Sequence, residues 1–261
     1  MLSRRLSAAA PPVLAALVLS FAHTAAAQTV GPWSVSIARE RAAATQSQVA
    51  TDWLTDRVEV CWLRTEDGGW FAGVERHQRG GEVEVTSYTR GFLRRGNWAF
   101  VGGLGATPRA SFQYRTSIEG ELARLLAGGL VTSGGYRYLG FRAVDIHQIQ
   151  PALSWYHARG DLQARAFFSR NQVTSRTSGA LLVRTIYAVA SRAHVGGGMA
   201  YGDRIFDAAS LPFGSAEAAL GFAHVRLGVT RRDELDLGVT VAHEKPSFDY
   251  RSISIGYRRT F

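Results

Sequence analysis

The 261-residue chain is 46% hydrophobic and 20% charged, with a formal charge of +9. No segment offers 18 consecutive apolar residues, which excludes a bundle of membrane-spanning helices. The single cysteine, Cys61, excludes an internal disulfide framework, and arginines spread along the chain argue against a nucleic-acid surface.

In chain order, Arg4 and Arg5 precede a short apolar run at 13–21 and then Ala25-Ala26-Ala27. This is the pattern of a cleaved secretory signal over 1–27. The remaining 28–261 reads as one all-β domain carrying +7 (+9 less Arg4 and Arg5). Lys245 is the only lysine, so the excess is arginine. GC-rich codon use, contact with anionic lipopolysaccharide, or an anion-favouring lumen would each account for it.

Alternating segments follow at 33–41, 53–64, 70–78, 82–93, 97–106, 112–125, 130–142, 144–157, 162–172, 179–190, 193–203, 215–227, 235–243 and 250–261. That is about 14 strands; merging neighbours leaves 12. Tight turns at 66–69, 94–97, 127–129, 158–161 and 231–234 alternate with longer polar stretches at 43–51, 171–178, 204–213 and 244–249. Short turns on one side and longer loops on the other are the habit of outer-membrane barrels.

Several segments separate two chemistries. Phe112, Tyr114, Thr116, Ile118 and Leu122 oppose Gln113, Arg115, Ser117, Glu119 and Glu121. Leu162, Ala164, Ala166 and Phe168 oppose Gln163, Arg165, Phe167 and Ser169, and Leu235, Leu237, Val239 and Val241 oppose Asp236, Gly238, Thr240 and Ala242. Cys61 shares a face with Glu59 and reads as a small interior residue. The last segment sets Ile253, Ile255, Tyr257 and Phe261 against Ser254, Gly256, Arg258 and Thr260; Tyr257 and the terminal Phe261 resemble a membrane-insertion signal, with Arg259 an awkward outward charge. Trp33, Trp53, Trp70, Trp98, Trp155, Tyr250 and Phe261 lie near segment ends, where an interfacial aromatic girdle needs them. The reading is a single antiparallel transmembrane β-barrel in the outer membrane.

A more specific pattern runs from Thr132-Ser133-Gly134-Gly135-Tyr136-Arg137-Tyr138 through Val144-Asp145-Ile146-His147 to Pro151-Ala152-Leu153-Ser154-Trp155-Tyr156. It then turns at Arg159-Gly160-Asp161 into Leu162-Gln163-Ala164-Arg165-Ala166-Phe167. This resembles the YaiO-type outer-membrane β-barrel family. The resemblance implies a porin-like barrel of the cell envelope and supplies no substrate or catalytic residues.

Arg115, Arg137 and Arg165, with Glu119 and Glu121, are the expected lumen-lining residues. Arg258, Glu59 and Asp236 join them on the same faces. They describe either a salt-bridged plug or a charge-lined passage. The expectation is a non-enzymatic narrow channel or envelope-assembly barrel for small or anionic solutes. The partners expected are outer-membrane lipids, lipopolysaccharide and the barrel-assembly machinery, with an envelope polysaccharide or export component as a further one and no nucleic acid. A lipid- or polysaccharide-modifying enzyme would use Glu75 and His77, two apart on one face with Glu84 opposite. A structural or secretion-partner barrel with a plugged lumen is the third reading. The other histidines show no metal-ligand spacing, no metal or cofactor is expected, and Gly196-Gly197-Gly198 relieves crowding in a wall.

Overall fold

The computed structural model describes residues 32–46, 49–65, 67–203, 217–245 and 248–261; the expected signal segment and the polar stretch 204–213 lie outside them. Fourteen strands form one closed barrel. They are β1 (Trp33–Gln46), β2 (Val49–Thr65), β3 (Gly68–Arg79), β4 (Glu82–Arg95), β5 (Trp98–Ala106), β6 (Thr116–Leu125), β7 (Leu130–Gly140), β8 (Asp145–His157), β9 (Gly160–Asn171), β10 (Thr177–Ala190), β11 (Ala193–Asp203), β12 (Glu217–Gly228), β13 (Asp233–Glu244) and β14 (Phe248–Thr260). Each pairs antiparallel with its neighbour in sequence, and β14 closes on β1 with Ile37 opposite Tyr257. Closure leaves no row of unpaired backbone groups, which a strand edge in lipid would not survive.

The alternation read from sequence sorts inside from outside. Phe168, Val241, Ile253 and Leu104 are exposed, each by more than half (57%, 55%, 70% and 59%), while Gln163, Arg165, Arg184 and Thr240 on the opposite faces are buried. A barrel in water would carry the reverse pattern. Apolar wall outside and polar wall inside is stable only where the outer solvent is lipid. Among the described residues no helix is long and apolar enough to cross a membrane, so the crossing is made by strands.

Connections at the end carrying Trp33 and Phe261 are tight, including residues 96–97, 158–159 and 191–192. The opposite mouth holds the longer ones, with two revisions. Much of the expected polar stretches 43–51 and 244–249 is strand, because β1 runs to Gln46 and β13 to Glu244. Residues 80–81 make a tight turn at this mouth, where Gly80 and Gly81 adopt positive φ.

The largest correction concerns 107–115. The alternation through Phe112 and Tyr114 predicts strand with both rings outward, yet β6 begins only at Thr116 and both rings are buried inside. Pro108 follows the last paired residues and has no N–H to continue the ladder. The segment therefore leaves the wall and folds into the barrel mouth. The aromatic girdle is also revised: Trp33, Trp70, Trp98, Trp155 and Phe261 are exposed, but Trp53 and Tyr250 are buried in the lumen. Both sit among Ala42, Ala44, Leu182, Leu220 and Phe248 in an apolar cluster near the wider-looped mouth.

Candidate functional site in the barrel lumen

Toward the terminal end, long polar side chains meet across intervening strands, and small residues between them make the approach possible. Tyr88 of β4 donates its hydroxyl to Glu59 of β2 at 2.8 Å, passing over Gly73 of β3. A Cβ on Gly73 would stand 2.5 Å from that hydroxyl. Arg90 of β4 pairs with Glu119 of β6 over Gly103 of β5, where a Cβ would lie 2.7 Å from the Glu119 carboxylate.

The longest bridge joins β6 to β9. Arg165 donates from Nη2 to Glu121 Oε1 and from Nη1 to Glu121 Oε2, both at 3.0 Å, and from Nη1 to Gln150 Oε1 of β8 at 3.0 Å. The pair spans three strand spacings, an arc of ~14 Å. Gly135 stands opposite Glu121 on β7 and keeps the path clear. The family-like stretch thus supplies Gly135, Gln150 and Arg165 to one bridge. Arg184 Nε continues the belt to Gln163 Oε1 at 2.9 Å, and Gln163 donates to Ser154 at 2.8 Å. Arg226 meets Asp236 at 3.2 Å, and Arg258 meets Glu234 at 3.5 Å.

Of the expected lumen residues, Glu119, Glu121 and Arg165 are joined in these bridges, and Arg137 stands inward opposite Glu119. Arg115 does not join them. It precedes β6 at the mouth, is exposed, and makes no ion pair among the described residues. Glu75 and His77 do meet: His77 Nε2 is 3.3 Å from Glu75 Oε2, and His77 Nδ1 is 3.3 Å from Thr55 Oγ1. Glu84 lies opposite His77 in register but is engaged elsewhere.

That engagement holds the infolded segment. The Glu84 carboxylate accepts backbone N–H bonds from Ser111, from Phe112 at 2.9 Å and from Gln113 at 2.9 Å, plus the Ser111 hydroxyl at 2.7 Å. Three successive N–H groups form a nest for one buried anion. The Thr86 and Thr107 hydroxyls bond at 2.7 Å, and the Arg79 guanidinium lies 4.5 Å from the ring centres of both Phe112 and Trp53. Alternation places Arg57, Arg79, Arg90 and Glu84 inward, but their partners are set by a contact between distant segments, which no local pattern announces. At the other rim, outward Arg259 lies 3.6 Å from Asp233, which also accepts the Tyr257 hydroxyl, so the awkward charge is paired.

Residues 74–203, from mid-β3 to the end of β11, match the model of the YaiO membrane beta barrel domain family. The chain is a YaiO-like outer-membrane β-barrel. No curated protein matches it. The YaiO-like barrel is similar to a bacterial polysaccharide outer membrane secretin (10% identity, 90% of this chain and 100% of that one, TM-score 0.60). It is also similar to the toluene transporter TbuX of Ralstonia pickettii (8% identity, 88% and 89% covered, TM-score 0.60). A third likeness is to the outer membrane protein Omp33 of Acinetobacter baumannii (11% identity, 88% and 98% covered, TM-score 0.54). At such identities the shared property is the fold. In outer-membrane barrels the short turns face the periplasm, which makes the terminal end of the YaiO-like barrel periplasmic and the infolded segment extracellular.

Proposed function

We propose that this YaiO-like barrel is a narrow outer-membrane channel for small polar solutes, restricted at rest by residues 107–115. The observation that carries the reading is the docking of that segment on Glu84 inside the mouth, above a lumen crossed by polar bridges. Fourteen strands lie between small barrels, filled by side chains, and porins of 16–18 strands with aqueous channels. Infolded chain and bridging side chains reduce such a lumen to a gap that admits small solutes. The charges do not favour anions. Arg90, Arg165, Arg226 and Arg258 each face an acid, so the wall alternates in sign and has no uniform positive field.

Planar-bilayer recording tests the reading. Wild-type barrel should conduct in small or infrequent steps, and Glu84→Ala, which releases the segment, should raise mean conductance several-fold. If folded wild type and folded Glu84→Ala both fail to conduct at every applied potential, the lumen is a plug and the channel reading is wrong.

A further inference from the structure

The outer wall carries a feature unrelated to the lumen. Five outward tryptophans near the periplasmic rim serve as a common ruler. Trp33, Trp62 and Trp70 stand side by side on β1, β2 and β3, with Trp33 ring centres 6.2 Å from Trp62 and 5.9 Å from Trp70. Trp98 and Trp155 lie at the same rim, at the periplasmic ends of β5 and β8. Six positions toward the extracellular side, β5 and β8 present Leu104 and Ile149, as a lipid-facing wall requires. On β1, β2 and β3 the same step reaches Arg39, Asp56 and Arg76.

At ~3.3 Å per residue and a tilt of ~40°, six positions raise a side chain ~15 Å, inside an apolar band that is normally ~25 Å tall. The band is therefore cut short where the first and last strands meet. Arg39 Nε donates to Asp56 at 2.6 Å, and Arg76 lies 3.6 Å from the same carboxylate. Arg41 meets Asp52 at 3.3 Å, and Arg251 lies beside them on β14, across Ala43 from Asp52. Counting Asp249, which stands two positions from Arg251 on the same face and pairs with His243, four guanidinium groups outnumber three carboxylates, and the Arg39 and Arg41 side chains remain 62% and 75% exposed.

We propose that this row binds the phosphate of an anionic outer-leaflet lipid, drawn down along the barrel wall. Guanidinium forks suit phosphate oxygens in two-pronged contact, and the charge excess is positive. Ile37, Val58 and Val74 directly below offer apolar wall to the lipid's acyl chains. Full-length mature barrel in mild detergent is incubated with bis-phosphorylated lipid A, washed stepwise and weighed intact by native mass spectrometry. Wild type should retain the lipid, and R39Q/R41Q/R76Q/R251Q should retain at least ~10-fold less, the loss expected for removing bidentate phosphate contacts. Dephosphorylated lipid A should leave the wild type as readily as the phosphorylated lipid leaves the variant, and D52N/D56N should hold the phosphorylated lipid at least as well as wild type. The heat-dependent gel shift of folded barrels verifies each variant. If the quadruple variant does not fold, R41Q/R251Q carries the test, with a several-fold loss expected. Equal retention by wild type and the folded variant, or equal retention of both lipids by wild type, overturns the proposal. So does a wild-type dimer that binds no lipid and dissociates in the variants, because a second copy then covers the row.

Discussion

In its periplasmic half the lumen is spanned by polar pairs, the longer of which reach over glycines, whereas its extracellular half packs rings and methyl groups around a few polar anchors such as Glu84. Both halves are lined by the same alternating face of the same strands. Glu59, Arg90, Glu121 and Arg165 supply the first; Trp53, Leu182, Leu220, Phe248 and Tyr250, with Phe112 from the infolded segment, supply the second. The difference teaches that facing inward does not dictate one chemistry. A buried charge needs a partner in place, and an apolar group needs only cover. The polar half therefore depends on individual pairs, and the apolar half on the segment that closes it.

The largest effect should come from splitting the longest bridge. Glu121→Gln leaves the nearly inaccessible Arg165 without its counter-charge and should destabilise the barrel by about 3–5 kcal/mol, while E121M/R165M should fall close to wild type. Urea unfolding of the lipid-reconstituted barrel reads both, and equal losses in the two variants would contradict the dependence on pairing. Glu84→Ala comes next, at about 2–4 kcal/mol, because several buried donors lose one acceptor together. Trypsin should then cut at Arg109 faster than in wild type; equal cutting would mean that ring packing alone holds the segment. Gly103→Val should cost about 1–3 kcal/mol by crowding Glu119, whereas Gly102→Val, facing outward with nothing nearer than 3.9 Å, should be neutral. Equal costs at the two glycines would deny that the cleared path matters. The smallest effect is Tyr88→Phe, about 1 kcal/mol for one hydrogen bond to Glu59, measured in the same unfolding series.

The likeness to a polysaccharide secretin, a toluene transporter and an outer membrane protein reinforces a limit on such reasoning. One barrel fold serves many functions, and what distinguishes one barrel from another is what occupies the lumen. Here the occupants are the bridges and the infolded segment. Glu75 and His77 form a contact in the same lumen, yet their neighbour Glu84 is committed to the segment's backbone, so the rim cluster expected from sequence is divided between two tasks.

Much of the wall is legible in the amino-acid sequence. Strict alternation in β9 and β13 states which residues face lipid, since a strand reverses its side chains at every residue and lipid tolerates only one of the two faces. The strands' positions to within a few residues, closure by the last of them and the inward placement of Glu119, Glu121 and Arg165 follow from the same period, read together with the turns. Alternation misleads at Phe112 and Tyr114, because an infolded segment can show the same apolar period as a wall strand. At Trp53 and Tyr250 alternation is right, since they share the inward faces of Glu59 and Ser252; it is their place near strand ends that misleads, because such rings suit an interface or an interior equally well. The sequence by itself determined which face of each strand is polar, because that depends only on local period and on the solvent outside. Only the tertiary structure decided which acid meets which arginine, what fills the mouth and where the outer charges align. Those contacts form between strands brought together by closure, at distances that no local stretch of chain encodes.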